Sequence, residues 1–175
     1  MEIPAGQIKL NIGCGGRKLP GYLGVDAVAE RTAADIVARA DAIDMADGAV
    51  SEIIAIHLFE HFYRFECDAV IKEWGRLLVK GGRLVLELPD LKKCCENILN
   101  GRHVPGKDPD QLGMWGLFGD PRGGDPFMAH RWGWTPESLT AFLKEHGFIK
   151  IKQAPTQFHP AGRAHRDMRI EAVKA

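Results

Sequence analysis

The sequence predicts an α/β fold built on a mostly parallel sheet. Three observations carry that expectation. Short apolar runs alternate with amphipathic stretches along a chain of 175 residues. Several runs are apolar on both faces, as strands covered from both sides must be, and Gly, Pro and Asp punctuate their ends.

Five runs are strand candidates in order: IKLNIG (8–13), YLGVDA (22–27), DIVARAD (35–41), EIIAIHL (52–58) and RLVLELP (83–89). Between the fourth and fifth, ECDAVIKEWGRLLVKGG places Val70, Ile71, Trp74, Leu77 and Leu78 on one helical stripe, and Gly81 offers a left-handed cap. PDLKKCCENILNG reads as a helix after the fifth strand. TPESLTAFLKEHG reads as another: Thr135 caps it, Pro136 suits its first turn, Leu139, Phe142 and Leu143 form its apolar face, and Gly147 ends it. FIKIKQA and DMRIEAVK alternate and suit the more exposed antiparallel edge of the sheet.

From about residue 101 to 134 periodicity gives way to Gly, Pro, Asp and aromatics. Loops of this length in compact domains are usually functional or disordered, and Trp115, Phe118, Phe127, Trp132 and Trp134 argue against disorder. The segment is expected to be a lid-like insertion in a single domain spanning 1–175.

Apolar residues make up 45% and charged residues 26%, with 23 basic and 23 acidic side chains, so no general attraction to nucleic acid or membranes is expected. No apolar run approaches the roughly 18–20 residues of a membrane span, and the N-terminus lacks a signal-peptide pattern; a cytoplasmic protein is expected. Cys14, Cys67, Cys94 and Cys95 form no CxxC pair and read as reduced thiols, and the histidines lack HxH or HExxH spacing, so no metal centre is expected. Oligomeric state is left open.

In an open α/β sheet, ligands bind beyond the C-terminal strand ends. Residues 11–16 follow the first strand, Asp26 ends the second, Asp41 ends the third and residues 57–61 follow the fourth, so all converge on one crevice. The turn Gly13-Cys14-Gly15-Gly16 lets backbone N–H groups approach a ligand, while Asp26 can accept from both hydroxyls of a ribose. A dinucleotide is disfavoured: Lys18 stands where the third glycine of GxGxxG belongs, Leu19, Pro20 and Gly21 leave little room for a crossover helix, and the acid comes well before the usual ≈ 20 residues.

LNIGCGG with VD, then ARADAIDM, EIIAIHLFEHF and EWGRLLVKGGRLVLELPDL together resemble the class I S-adenosylmethionine-dependent methyltransferases, particularly a short group with an abbreviated first crossover. The likeness runs from about residue 8 to 91 and resumes at HRWGWTPESLTAFLKEHGF. It implies a Rossmann-like, seven-stranded sheet whose last strand is antiparallel, and S-adenosylmethionine as cofactor. Carried over, it places Gly13, Cys14 and Gly15 at the methionine part, Asp26 at the ribose, Asp41 and Ala42 at the adenine, and His57 and Leu58 near the methyl group, with Asn11 also among the cofactor-binding residues. Arg17 or Lys18 could hold the methionine carboxylate.

Methyl transfer to a hydroxyl needs alignment and removal of a proton, and histidine suits the second task. His57, His61 and His130 are the candidate bases, with Glu60 either orienting His61 or opening a helix. Arg163, His165, Arg166 and Arg169 read as solvated edge-strand charges, with reception of an anionic substrate group as the alternative. HLFEHF contains neither an Asn/Asp-Pro-Pro-aromatic nor a Pro-Cys motif, so a small-molecule or sugar-containing acceptor is expected rather than nucleic acid. The rival expectations are a cofactor-binding module without methyl transfer and, more weakly, a nicotinamide-dependent oxidoreductase.

Overall fold

In a computed structural model, residues 8–30, 32–103, 107–120, 125–158 and 164–175 are described. Seven strands form one sheet in the order β3-β2-β1-β4-β5-β7-β6. They are β1 Ile8–Ile12, β2 Leu23–Asp26, β3 Ile36–Val37, β4 Val50–Ile56, β5 Leu78–Pro89, β6 Phe148–Ala154 and β7 Asp167–Lys174. β1 to β5 pair in parallel, and β7 runs antiparallel between β5 and β6. This is a Rossmann-like sheet with an antiparallel last strand.

Consecutive Leu84, Val85 and Leu86 are all fully buried, so β5 is covered on both faces. Of the two alternating runs, only β6 is the exposed edge; β7 is buried because β6 shields it from solvent.

The helices are α1 Arg64–Leu77, α2 Leu91–Leu99, α3 Met114–Phe118 and α4 Pro136–Glu145. Trp74 of α1 and Phe142 of α4 share one core with Phe59 and Trp134, whose rings stack at 5.6 Å. Trp74 is fully buried while its indole N–H donates to Ala40 O at 2.9 Å, so its one polar group is satisfied. Asp90 caps α2, and Thr135 and Ser138 form a reciprocal cap on α4. Gly81, with φ +79°, does not cap α1: that helix ends at Leu77, Leu78 is already extended, and Gly81 turns the early part of β5.

No helix precedes α1 among the described residues except a single 3-10 turn at Phe59–His61. The β1–β2 link is instead pinned by polar bonds. Leu19 N–H donates to Asn11 Oδ1 at 3.2 Å, Ala33 N–H to Gly15 O at 2.7 Å, and Gly24 N–H to Asp35 Oδ2 at 2.8 Å. Gly24 permits this covering, because a Cβ there would stand 2.8 Å from Ala33 O and 2.9 Å from Cys14 Sγ. No described helix is long and apolar enough to cross a membrane.

Residues 107–120 and 125–134 contain short helical turns rather than an extended loop. Leu112 and Trp134 are buried, so the end of the aromatic segment belongs to the core; Phe118, Phe127 and Trp132 are exposed.

Candidate active site

The glycine turn starts where β1 ends. Gly13 N–H and Cys14 N–H both donate to Val25 O, at 2.8 and 3.2 Å, folding the chain back on β2. Gly13 and Gly15 have φ of +67° and +53°, left-handed values that side chains disfavour. A Cβ on Gly13 would approach both Leu58 methyls to 2.8 Å, so Leu58 closes on this turn.

At the end of β2, Asp26 Oδ2 accepts from Gly15 N–H at 2.9 Å and Oδ1 accepts from Val28 N–H at 3.1 Å. A carboxylate has about four acceptor positions, so these two bonds orient it and leave capacity for a diol. Asn11 is buried and its carbonyl serves Leu19, which makes it a support of the turn. Arg17 and Lys18 are both exposed, and Lys18 is engaged by Asp35 at 2.6 Å.

The third strand is shorter than the sequence suggests. β3 stops at Val37, and Asp41 and Ala42 lie in the following turn, where Arg39 bridges to Ala42. Arg39 donates to both oxygens of Asp41, at 2.9 and 2.8 Å, and holds its carboxyl below the ordinary range. The acid is fixed by a partner two residues away rather than by strand pairing.

His57 follows β4 with φ +51°, an uncommon conformation for a side-chain-bearing residue. Its Nδ1 lies 3.1 Å from Glu60 Oε1 and its Nε2 3.0 Å from Asp167 Oδ2. Burial pushes the imidazole pKa down, but the two carboxylates outweigh it and hold the value up at about 9. The charged form of the ring is thereby favoured. Expected as a candidate base, His57 has a carboxylate oxygen 3.0–3.1 Å from each of its ring nitrogens.

Against the cost of their own burial, the cation holds Glu60 and Asp167 below their usual values; Arg166 helps at Asp167, donating from Nε to Oδ1 at 2.7 Å.

Glu60 carries more than its side chain. Its carbonyl accepts from Arg131 N–H at 2.8 Å and Trp132 N–H at 3.2 Å, tying the turn after β4 to the segment before α4. This brings His61 and His130 together, their rings 4.9 Å apart and edge to face. Their Nδ1 atoms face backbone carbonyls: Ala129 O at 3.1 Å and Gly116 O at 2.9 Å. Burial lowers the His130 pKa, favouring its neutral form.

Two members of the late basic cluster, Arg166 and Arg169, are neither solvated edge charges nor open to a substrate. Arg166 and Arg169 are buried: Arg166 pairs with Asp167, and Arg169 reaches Glu171 at 2.9 Å and Glu87 at 3.4 Å. His165 is exposed, and Arg163 lies outside the described residues.

Glu87, fully buried within β5, also accepts from Gln157 N–H and Phe158 N–H at 2.9 and 3.0 Å. Its signal in the sequence was a carboxylate inside the apolar run LVLELP. Beside Asp167 a cavity of about 520 Å³ opens, lined by Lys93, Gln153, Ala154, Thr156 and Met168.

No family model matches the sequence, and no curated protein matches it. Solved structures do match. A Methanosarcina mazei S-adenosylmethionine-dependent methyltransferase aligns with TM-score 0.61 at 22% identity over 95% of this chain and 91% of its own. A Thermotoga maritima protein described as a possible histamine N-methyltransferase gives 0.62 at 17%, over 99% and 84%.

Phosphoethanolamine N-methyltransferase 2 of Haemonchus contortus, complexed with phosphomonomethylethanolamine and S-adenosylhomocysteine, gives 0.61 at 12%; this chain, aligned over 99% of itself, spans 50% of that enzyme's length. At these identities the likeness establishes the fold: a Rossmann-like fold shared with solved S-adenosylmethionine-dependent methyltransferases.

Proposed function

We propose that the chain binds S-adenosylmethionine and transfers its methyl group directly to a small-molecule or sugar-containing acceptor. The observation that carries this is the joined pair of Gly13–Gly15 turn and Asp26. Backbone and carboxylate are locked together at the C-terminal edge of a sheet shared with methyltransferases.

The donor set fits the cofactor. Asp26 has acceptor capacity for a ribose diol, Gly13 and Gly15 leave the turn free of side chains, and Asp41 with Ala42 offers an acceptor-bearing turn for an adenine edge. Arg17 would take the methionine carboxylate, since guanidinium matches carboxylate geometry.

When bound, the sulfonium supplies an already activated methyl group, and the chain's own groups have only to position and deprotonate the acceptor. Leu58, packed over Gly13, borders the methyl end and keeps water from it. His57 acts as a fixed cation that orients Glu60 and Asp167. Proton acceptance falls to the Nε2 positions of His61 and His130, whose Nδ1 atoms are turned to carbonyls. The cavity beside Asp167 falls in the usual size range for small ligands, about 300–1,000 Å³. Exposed Phe118, Phe127 and Trp132 would cover an acceptor as a lid.

Calorimetric titration with S-adenosylhomocysteine tests the cofactor assignment, and methyl transfer from labelled S-adenosylmethionine across a small-molecule panel tests the reaction. Binding without transfer would favour the inactive module. Thermal protection by NAD but not by S-adenosylhomocysteine would favour the oxidoreductase.

A further inference from the structure

Glu60, His61 and His130 come from two segments that no sequence spacing relates, yet one ligating atom from each lies within 4.8 Å of the others. The protonation of the two rings follows from their partners. Ala129 O and Gly116 O can only accept, so each facing Nδ1 carries the proton and each Nε2 keeps its lone pair. Carbonyls on the far nitrogen orient metal-binding histidines in this way.

Glu60 adds a second, independent sign. Its Oε1 is held by His57, whereas its buried Oε2 has no hydrogen-bond partner among the described residues. A buried carboxylate oxygen left in this state costs free energy unless something binds it.

We propose that Glu60, His61 and His130 bind a divalent first-row transition-metal ion of the Zn²⁺ type. Two imidazoles and one carboxylate suit such ions better than Mg²⁺ or Ca²⁺, which take mainly oxygen ligands. Three protein ligands leave a position for water or an acceptor oxygen. In a tetrahedral site with bonds of about 2.0–2.1 Å, ligand atoms stand about 3.4 Å apart. His130 Nε2 stands 3.8 Å from the Glu60 carboxylate, and the three ligand atoms lie within 4.8 Å of one another, so a bound ion would draw the groups closer together.

Because Leu58 links this turn to Gly13, a bound ion would hold the acceptor oxygen near the methyl group and lower the pKa of its hydroxyl. The hydroxyl proton would then pass to solvent water, and the two histidines, their Nε2 lone pairs given to the ion, would act as ligands rather than bases. That role rests on the methyltransferase proposal; the site itself does not.

The test is calorimetric titration of the metal-stripped full chain with ZnCl₂, repeated with Co²⁺ monitored by visible absorption. One ion per chain is expected, with about tenfold or greater weakening in His61→Ala and in His130→Ala, and a Co²⁺ spectrum without thiolate charge-transfer bands. Circular dichroism checks that each variant is folded; His61 is half-buried, so its variant keeps the test available if His130→Ala unfolds.

Asp26→Ala should leave zinc affinity unchanged, and His61→Ala should leave S-adenosylhomocysteine affinity unchanged, so metal and cofactor assignments fail separately. Absence of zinc binding by the folded wild type would overturn the proposal. So would binding unaffected in the folded histidine variants, or binding abolished by Cys95→Ser at the exposed thiol.

Discussion

Gly13→Ala and Gly15→Ala should separate two costs that the glycine turn combines. Both positions are left-handed, which costs a side-chain-bearing residue about 1–2 kcal/mol. At Gly15 that is the whole expected penalty, since nothing lies within 4 Å of an added Cβ. At Gly13 the new Cβ would meet Leu58 Cδ1 and Cδ2 at 2.8 Å and Leu58 Cβ at 3.0 Å.

Rotating the Leu58 methyls relieves only part of that contact, because its Cβ is fixed by the backbone. Overpacking of this kind costs about 1–3 kcal/mol, so Gly13→Ala should lose about 2–5 kcal/mol in all. Urea unfolding of both variants, of Leu58→Ala and of the double variant Gly13→Ala/Leu58→Ala measures each cost and their coupling. Equal losses at Gly13 and Gly15, or no relief of the Gly13 penalty in the Leu58→Ala background, would refute the packing of Leu58 on the turn.

Other substitutions probe the surrounding framework. Glu87→Gln should destabilise by about 3–5 kcal/mol in urea unfolding, since it leaves buried Arg169 short of a carboxylate; a change below about 0.5 kcal/mol would contradict that pairing. Trp134→Ala should cost about 3–5 kcal/mol through the cavity beside Phe59 and Phe142, whereas exposed Phe127→Ala should stay within about 0.5 kcal/mol, and the reverse order would be inconsistent with the described core. Hydrogen bonds from Arg76 hold Glu73 below its usual pKa. Their stabilisation is present above the unfolded value of about 4.3 and is lost as pH falls through the lower folded value. The stability gap between wild type and Arg76→Met should therefore narrow on acidification; a gap that widens would reverse the sign of the Glu73 shift.

The strands were legible because their signal is local. Five apolar runs and two alternating ones identify the seven strands, and the spacing of Val70, Ile71, Trp74 and Leu77 identifies α1. β3 was overextended because Arg39 and Asp41 satisfy each other through side chains, a local pairing that an apolar pattern does not reveal. Gly81 was misplaced because either a helix cap or a turn within a strand can require positive φ.

The pairings that decide what the charged groups can do depend on topology. Asp167 meets His57 only because β7 inserts beside β5, setting Asp167 opposite Pro89. The same insertion buries Arg166 and Arg169, which otherwise look like edge-strand charges. His61 and His130 meet because the backbone of Arg131 and Trp132 binds the carbonyl of Glu60 across some seventy residues. Asp26 was legible as an acid at a strand end, but its lock to Gly15 was not.

The most direct test of the proposed function is S-adenosylhomocysteine titration of wild type and Asp26→Asn, which keeps the shape of the side chain but removes its charge. Loss of charge-assisted hydrogen bonds worth about 1.5–3 kcal/mol should weaken binding roughly 10–150-fold. Saturable binding by the wild type with that loss in a folded variant is the expected result; no binding by the wild type, or equal affinity in both proteins, would contradict the assignment of Asp26 and its glycine turn to the methyl donor.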